Sequence, residues 1–255
     1  MIRVAINGIL GRMGRELSAA ILKDESLALA GGIDTLETFY AEEICVSTDP
    51  DEILREADVA LDFSSPEGAA AIADACRKRR VPLVSGTTGL SAAQQSRLRE
   101  LANHVAVLQS FNFSLGINLL INLIQKAAAA LRGNFDGEIV EIHHRNKKDS
   151  PSGTALLLAR ALLQGLGVAE QENIRFGRQG FQAQRGPEIA LHSLRGGSVV
   201  GEHQVHFLGN HENIVITHQA LSRAVFVEGV LRAVRWIPSQ KPGYYTMQDV
   251  LGLKA

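Results

Sequence analysis

The stretch that most limits what this chain can fold into lies at its start. Ile2-Arg3-Val4-Ala5-Ile6 reads as a short buried strand, and Asn7 to Gly14 as a turn with glycines at 8, 11 and 14. Arg15 to Lys23 then reads as a helix with Leu17, Ile21 and Leu22 on one side. A strand that passes through a glycine turn into a helix makes a phosphate cradle. Glycine lets the backbone approach a pyrophosphate, and the first N–H groups of the helix meet its charge. The spacing is G-x-x-G-x-x-G, not the commoner G-x-G-x-x-G, so the surroundings must carry the reading. They do: the next apolar run, Leu27 to Ile33, ends in Asp34, where a dinucleotide fold places a carboxylate on ribose hydroxyls. The plainer alternative is a structural turn followed by an ordinary surface aspartate.

The alternation continues. Ala57 to Phe63 is a strand, after which Ser65 caps and Pro66 opens a helix towards Arg79. The basic cluster Arg77 to Arg80 suits the end of that helix. Val81 to Ser85 is the next strand and ends in Gly86-Thr87-Thr88-Gly89. Ser91 and Gln94 form a capping box for a helix to Ala102. Val105 to Leu108 follows, ending at Gln109-Ser110-Phe111-Asn112-Phe113. Strands and helices alternating at this length predict an α/β fold with a Rossmann-like, doubly wound parallel sheet. Ligands sit at the carboxyl ends of such strands. That puts Gly8, Ile9, Leu10, Gly11, Arg12 and Met13 on one rim with Asp34, Phe63-Ser64, Gly86, Thr87, Thr88, and Ser110 to Phe113.

The pattern changes after Phe113. Leu115 to Leu131 is a long helix, apolar on most faces, which predicts burial between layers. A strand-like run, Glu138 to His144, leads into a charged loop and an Ala/Leu-rich helical run, Ala155 to Leu166. Residues 170–187 are polar and rich in Gly and Arg, and read as a loop. Ile189 to Arg195, Val199 to Leu208 and Asn213 to Ala220 are strands without long helices between them. They predict a C-terminal α+β domain with a mostly antiparallel sheet. Such a sheet leaves one face or edge for a partner subunit. Ser222 begins a final helix that is expected to return to the first domain. The expected organisation is therefore 1–113, 114–221 and 222–255, with a hinge at Asn112 to Gly116.

The loop between strand and helix concentrates the chemistry. His143 and His144 exchange protons near neutral pH, and Lys147 and Lys148 add positive charge. Pro151-Ser152-Gly153-Thr154 is a helix start whose backbone N–H groups favour an anion. The chemical reading is a pocket for a small carboxylate or phosphate with an acid/base beside it; the plain one is a charged loop before a capped helix.

Composition excludes several other classes. With 26 basic and 27 acidic residues in 255, the net charge of −1 gives no global field for nucleic acid or membrane. Cys45 and Cys76 form no disulfide framework and lack metal-ligand spacing. His203 and His206 point to opposite faces of one strand, so no metal is expected. Residues 1–6 contain no leader pattern and no apolar run spans a bilayer, so a cytoplasmic protein is expected. Two other readings remain open on the residues alone. One is a different NAD(P)-dependent enzyme acting on an amino or oxo acid, and the other is a non-catalytic sensor of dinucleotide and metabolite.

Taken together, the motifs resemble one family, dihydrodipicolinate reductase, now usually called 4-hydroxy-tetrahydrodipicolinate reductase, of lysine and diaminopimelate biosynthesis. Gly8 to Gly14, Asp62-Phe63-Ser64, Gly86 to Gly89, Asn112 to Asn118 and Glu141 to Ala155 occur in the family's order. Val200 to His203, His218 to Arg223 and Met247 to Leu251 complete the series. The His-His-x-x-Lys-x-Asp-x-Pro-Ser-Gly-Thr core is specific to the family; Ser150 stands where alanine is usual. The resemblance implies reduction of a cyclic, unsaturated dicarboxylate by a reduced nicotinamide. It implies His143 as proton donor/acceptor, Lys147 as proton donor, and His144, Gly153 and Thr154 as substrate contacts. Cofactor contacts fall on Gly8, Ile9, Leu10, Gly11, Arg12, Met13, Asp34, Gly86, Thr87, Thr88, Ser110, Phe111, Asn112 and Phe113. A homotetramer built through the C-terminal sheet is implied as well. Asp34 with no arginine beside it points to NADH over NADPH, while Arg12 leaves NADPH open.

Overall fold

A computed structural model describes residues 1–41, 44–170, 173–181 and 184–253. The chain divides into two compact units, Met1–Phe113 with Phe226–Ala255, and Ser114–Val225. No helix among the described residues is long and apolar enough to cross a membrane.

The first unit begins with β1 (Ile2–Asn7), α1 (Arg12–Ile21) and β2 (Leu27–Ile33). The helix starts at Arg12, earlier than the glycine pattern predicts. Gly11 is its extended N-cap and Gly14 lies inside its first turn. A Cβ on Gly14 would stand 2.2 Å from the Gly8 carbonyl oxygen, so the missing side chain lets the helix start hard against the turn. β3 (Thr38–Tyr40), β4 (Ile44–Ser47) and α2 (Pro50–Ile53) come next, followed by β5 (Val59–Asp62) and α3 (Pro66–Arg79). α3 has Ser65 as N-cap, accepting from Gly68 N–H, and ends on Arg80 in the left-handed region. β6 (Leu83–Ser85), α4 (Ala92–Leu101) with its Ser91–Gln94 capping box, and β7 (Ala106–Gln109) close the stretch.

The second unit opens with α5 (Leu115–Leu131) and β8 (Phe135–His143), then α6 (Gly153–Leu166). β9 (Ile174–Phe176) lies inside the segment expected to be loop, and β10 (Ile189–Arg195), β11 (Gly201–Gly209) and β12 (Asn213–Ala220) follow. The sheet order is β12-β11-β8-β10-β9. Its two long ladders, β11 with β12 and β11 with β8, are antiparallel, as expected. β10 instead runs parallel to β8, and β9 parallel to β10. Ile139, Leu191, Val205 and Phe207 share a core with α5 and α6. Val140, Ile142, Leu194, Leu208 and Val215 lie on the other face, half-buried or exposed. α5 is not buried on most sides: Ile117, Leu120, Ile124 and Ala128 face the core, while Leu119 and Leu123 are each 44% exposed.

The chain re-enters the first unit along α7 (Ala224–Trp236), then β13 (Gly243–Tyr245) and α8 (Met247–Val250). α7 begins two residues beyond Ser222, whose Oγ accepts from Ala224 N–H at 3.2 Å. The completed sheet reads β13-β7-β6-β5-β1-β2-β4-β3, parallel throughout except for the β3–β4 pair. This is the Rossmann-like half of the chain.

Candidate active site

In the second unit, β8 alternates between faces, so Glu141 and His143 project on the side of Ile139. Glu141 is wholly buried. Its Oε2 lies 2.5 Å from Nδ1 of His143 and accepts from Nη1 of Arg195 at 2.8 Å. Its Oε1 accepts from Nη2 of Arg195 at 2.6 Å and from the Ser152 backbone N–H at 3.1 Å. Arg195 reaches this carboxylate because parallel register sets it beside His143. Its Nη2 also donates to the Asp149 carbonyl at 2.8 Å, fastening the loop to β10. Ser152 caps α6 by accepting from Ala155 N–H at 3.1 Å, and its Oγ lies 3.1 Å from Nε2 of His203. Gly153 and Thr154 are the first two residues of α6, where backbone N–H groups point out along the axis. A Cβ on Gly153 would meet nothing within 4 Å, so space is open there.

The loop from β8 to α6 is held mainly by its backbone. His144 N–H donates to Val199 O at 2.7 Å, and Lys147 N–H to His144 O at 3.1 Å. The half-buried Lys147 places Nζ 2.9 Å from Asp149 Oδ1. The rings of His143 and His203 meet edge to face with centroids 5.2 Å apart.

Charge in this cluster follows from burial and partners. Burial alone would push Glu141 up; Arg195, Ser193 and His143 outweigh it and hold the carboxyl at about 2. Burial lowers His143 below the usual imidazole value; Glu141 opposes this, and the charges of Lys147 and Arg195 add to it. His203 is pushed down to about 3, chiefly by burial and then by His143. The hydrogen bond from Lys147, helped by its charge, lowers Asp149 although burial opposes it. The site therefore sets two carboxylates, Glu141 and Asp149, and two imidazoles held below their ordinary value beside the side chains of Arg195 and Lys147. That set can bind an anion and move a proton.

The first unit carries a different site. Gly8 has φ +82°, and a Cβ on it would lie 2.6 Å from the Phe63 carbonyl oxygen, so the turn admits only glycine there. Gly8 N–H donates to Ile33 O at 2.8 Å and Gly11 N–H to Gly8 O at 3.1 Å. Asp34 is fixed at this turn: Oδ2 accepts from Leu10 N–H at 2.9 Å and Oδ1 from Thr35 N–H at 2.8 Å. A cavity of about 550 Å³ lies here, lined by Gly8, Gly11, Asp34, Thr48, Ser64 and Gly68 among others. A glycine cradle that a Cβ would fill, a helix start and an anchored carboxylate fit a dinucleotide. Behind the cavity the buried Asp62 accepts from Asn7 Nδ2 at 2.9 Å, Ser64 Oγ at 2.6 Å and Ser85 Oγ at 2.8 Å. It ties together the ends of β1, β5 and β6.

The sequence-predicted residues fall into distinct places. Gly8, Gly11 and Asp34 line the cavity, Leu10 reaches Asp34 through its N–H, and Arg12 and Met13 open α1. The side chain of Ile9 is wholly buried against Gly32, leaving only its backbone to the turn. Gly86 packs on the Phe63 ring, and the buried Thr87 accepts from Ser64 N–H at 3.0 Å, while Thr88 is exposed. Ser110 Oγ donates to Asn112 O at 2.7 Å, Phe111 is exposed, and Asn112 and Phe113 are buried. Residues 86–88 and 110–113 are outside the lining of that cavity. In the second unit His143, Lys147, Gly153 and Thr154 gather at one end of β8 and α6. Sequence reasoning missed Glu141, Ser152, Arg195 and His203 there, and Asp62 in the first unit. Asp62, Glu141, Ser152 and His203 lay inside motifs of the resembled family without an assigned role, the period-two spacing of Glu141 and His143 was a further signal, and Arg195 had none.

Residues 2–113 match the family described as Dihydrodipicolinate reductase, N-terminus, and residues 116–251 the one described as Dihydrodipicolinate reductase, C-terminus. The 4-hydroxy-tetrahydrodipicolinate reductase of Syntrophotalea carbinolica is 40% identical over 267 residues, covering 100% of both chains. That of Aquifex aeolicus is 42% identical over 266 residues, covering 99% of each. Among solved structures, the dipicolinate-bound dihydrodipicolinate reductase from Paenisporosarcina sp. TG-14 superposes with a TM-score of 0.82 at 25% identity, over 98% of this chain and 99% of that one. A myo-inositol dehydrogenase from Corynebacterium glutamicum shares the fold at a TM-score of 0.59 and 16% identity, over 99% and 93%. The chain belongs to the dihydrodipicolinate reductase family of oxidoreductases.

Proposed function

We propose that this chain reduces 4-hydroxy-tetrahydrodipicolinate to tetrahydrodipicolinate with loss of water, a step of lysine and diaminopimelate biosynthesis. The observation that carries the reading is the cluster of His143, Lys147 and the α6 N-terminus around the buried Glu141. The balance is one hydride and one proton taken up and one water released per ring. A reduced nicotinamide, when bound, supplies the hydride. Gly8 to Met13 and Asp34 hold its dinucleotide, with Gly86 to Thr88 and Ser110 to Phe113 on the same rim. In the second unit, Gly153 and Thr154 N–H groups and His144 take the substrate carboxylates, as anions favour a helix start. The dipicolinate-bound relative supports a ring dicarboxylate as ligand. Lys147 and His143 deliver the proton that quenches the electron density a hydride builds on a conjugated imine.

Residues 1–113 and 222–255 form the dinucleotide half of this reading, and 114–221 the substrate half. Asp34 accepts ribose hydroxyls and repels a 2′-phosphate, which favours NADH, and Arg12 allows NADPH as the weaker partner. The open face of the second sheet, where Val140, Ile142, Leu194, Leu208 and Val215 stand among polar side chains, is the surface on which this reading builds a homotetramer. A reductase that draws on the reduced nicotinamide pool is expected in the cytoplasm.

The deciding experiment follows NADH absorbance with substrate generated in situ by a synthase. Substrate-dependent loss of NADH is expected, and its absence ends this reading. Lys147→Ala should lower kcat by about 100-fold or more, the scale of a lost general acid, with NADH binding intact. Normal turnover in that variant would remove Lys147 from its role. KM for NADH should lie below KM for NADPH; equal values would sink the preference.

A further inference from the structure

We propose that Glu141 is the positioning residue of this site. One carboxylate holds His143 with Nδ1–H turned inward and Nε2 turned out, and through Ser152 it also fixes the anion-binding start of α6. The proposal rests on the reading of the site given above and adds an assignment of atoms within it.

Three observations support it. First, a carboxylate only accepts, so a neutral His143 whose Nδ1 lies 2.5 Å from Glu141 Oε2 must carry its proton on Nδ1. The other ring nitrogen is then the one open to gain or give a proton. Second, the residue beside that nitrogen on β11 has no side chain. A Cβ on Gly201 would stand 3.0 Å from His143 Nε2, so glycine on β11 spares that nitrogen a tight side-chain contact. Third, the other oxygen of Glu141 accepts from Ser152 N–H, and Ser152 is the N-cap of α6. The proton-transfer ring and the helix start thus share one anchor, and Arg195 braces it with two parallel hydrogen bonds.

The groups around His143 are Glu141 on its own strand, Arg195 on β10, His203 on β11 and Lys147 in the loop. Glu141 supplies the only negative charge among them. It favours the protonated ring against burial and two cations, although the net shift of the ring is still downward. Arg195 cancels part of that charge, so the carboxylate acts through its position as well as its sign.

The first test reads the ring in the wild-type protein. Nitrogen-15 NMR of the wild-type protein, with His143 identified by its loss in His143→Asn, should show a neutral ring protonated at Nδ1. The Nε2-protonated tautomer would overturn the proposal. The second test is Glu141→Gln, read against Glu141→Asp. Glu141→Gln should lower kcat by about 100-fold, leave NADH affinity unchanged, and move the pH-profile limb of His143 to lower pH. Glu141→Asp, which keeps the charge, should keep that limb near its wild-type position. A merely structural Glu141 would lower activity in both without moving the limb, and that outcome refutes the assignment. Failure of the wild-type chain to turn over the ring would defeat the functional reading instead, and the tautomer measurement would still decide the position of the proton.

Discussion

A histidine buried with no carboxylate of its own makes stability depend on pH. His203 is 4% exposed, touches Ser152 through Nε2, and is held down at about 3 against an ordinary 6.5. Between those values the unfolded chain binds a proton that the folded chain does not, so stability falls as pH drops through 6.5. Glu141 acts in the same direction at lower pH: its contribution is full above 4.5 and is lost as pH falls towards 2. Urea midpoints should therefore decline from pH 7 to pH 5, and His203→Gln should flatten that slope without abolishing it, because His143 is lowered too. An unchanged slope in the variant would show that His203 titrates no differently folded and unfolded. None of this could be read in the sequence. His143, Lys147, Gly153 and Thr154 announced themselves as a run of chemically active types within one loop. Glu141 and Arg195 are 54 residues apart and meet only because β10 pairs with β8 in parallel. His203 arrives from a third strand, and adjacency across strands leaves no trace in residue types.

Elements were legible in proportion to their length and their punctuation. α3 and α4 were placed by Ser65-Pro66 and by the Ser91–Gln94 box, which are local signals with local causes. The long run 115–131 gave α5 its limits, though its composition overstated its burial. β3, β4, β9 and β13 are three or four residues each, too short to show a period, and exist because a neighbouring strand offers them hydrogen bonds. α1 was misplaced by one turn because glycine in a helix reads as a breaker until the close approach to Gly8 is known. The same contact yields a prediction. Gly14→Ala would press a methyl group into the Gly8 carbonyl, so the turn has to open. We expect at least a tenfold rise in the KM for NADH, the scale of about 1.4 kcal/mol of lost binding. Far-UV circular dichroism should show the fold retained, and a wild-type KM would show that the cradle tolerates the shift.

At the scale of the whole molecule, the second sheet covers one face with α5 and α6 and leaves aliphatic side chains on the other. Val215 on β12 is 49% exposed and Leu208 on β11 is 37% exposed, on the same open face. If subunits meet there, Val215→Lys should shift sedimentation towards smaller species while leaving the monomer folded. An unaltered assembly state would place the interface elsewhere. In the sequence, the change of pattern after Phe113 pointed to a second unit, and the likeness of the helix expected from Ser222 to the earlier α/β elements pointed to a return of the chain to the first. The interruption of one unit by the other has a further consequence, for the order in which the protein is made. When the ribosome has completed β7, that strand can pair with β6 on one side only, because β13 is encoded only after the whole of Ser114–Val225. The inserted unit has all its strands and both its helices available sooner. The part begun first is thus the part finished last, and a nascent chain halted before Gly243 would carry a sheet edge open to mispairing or to a chaperone.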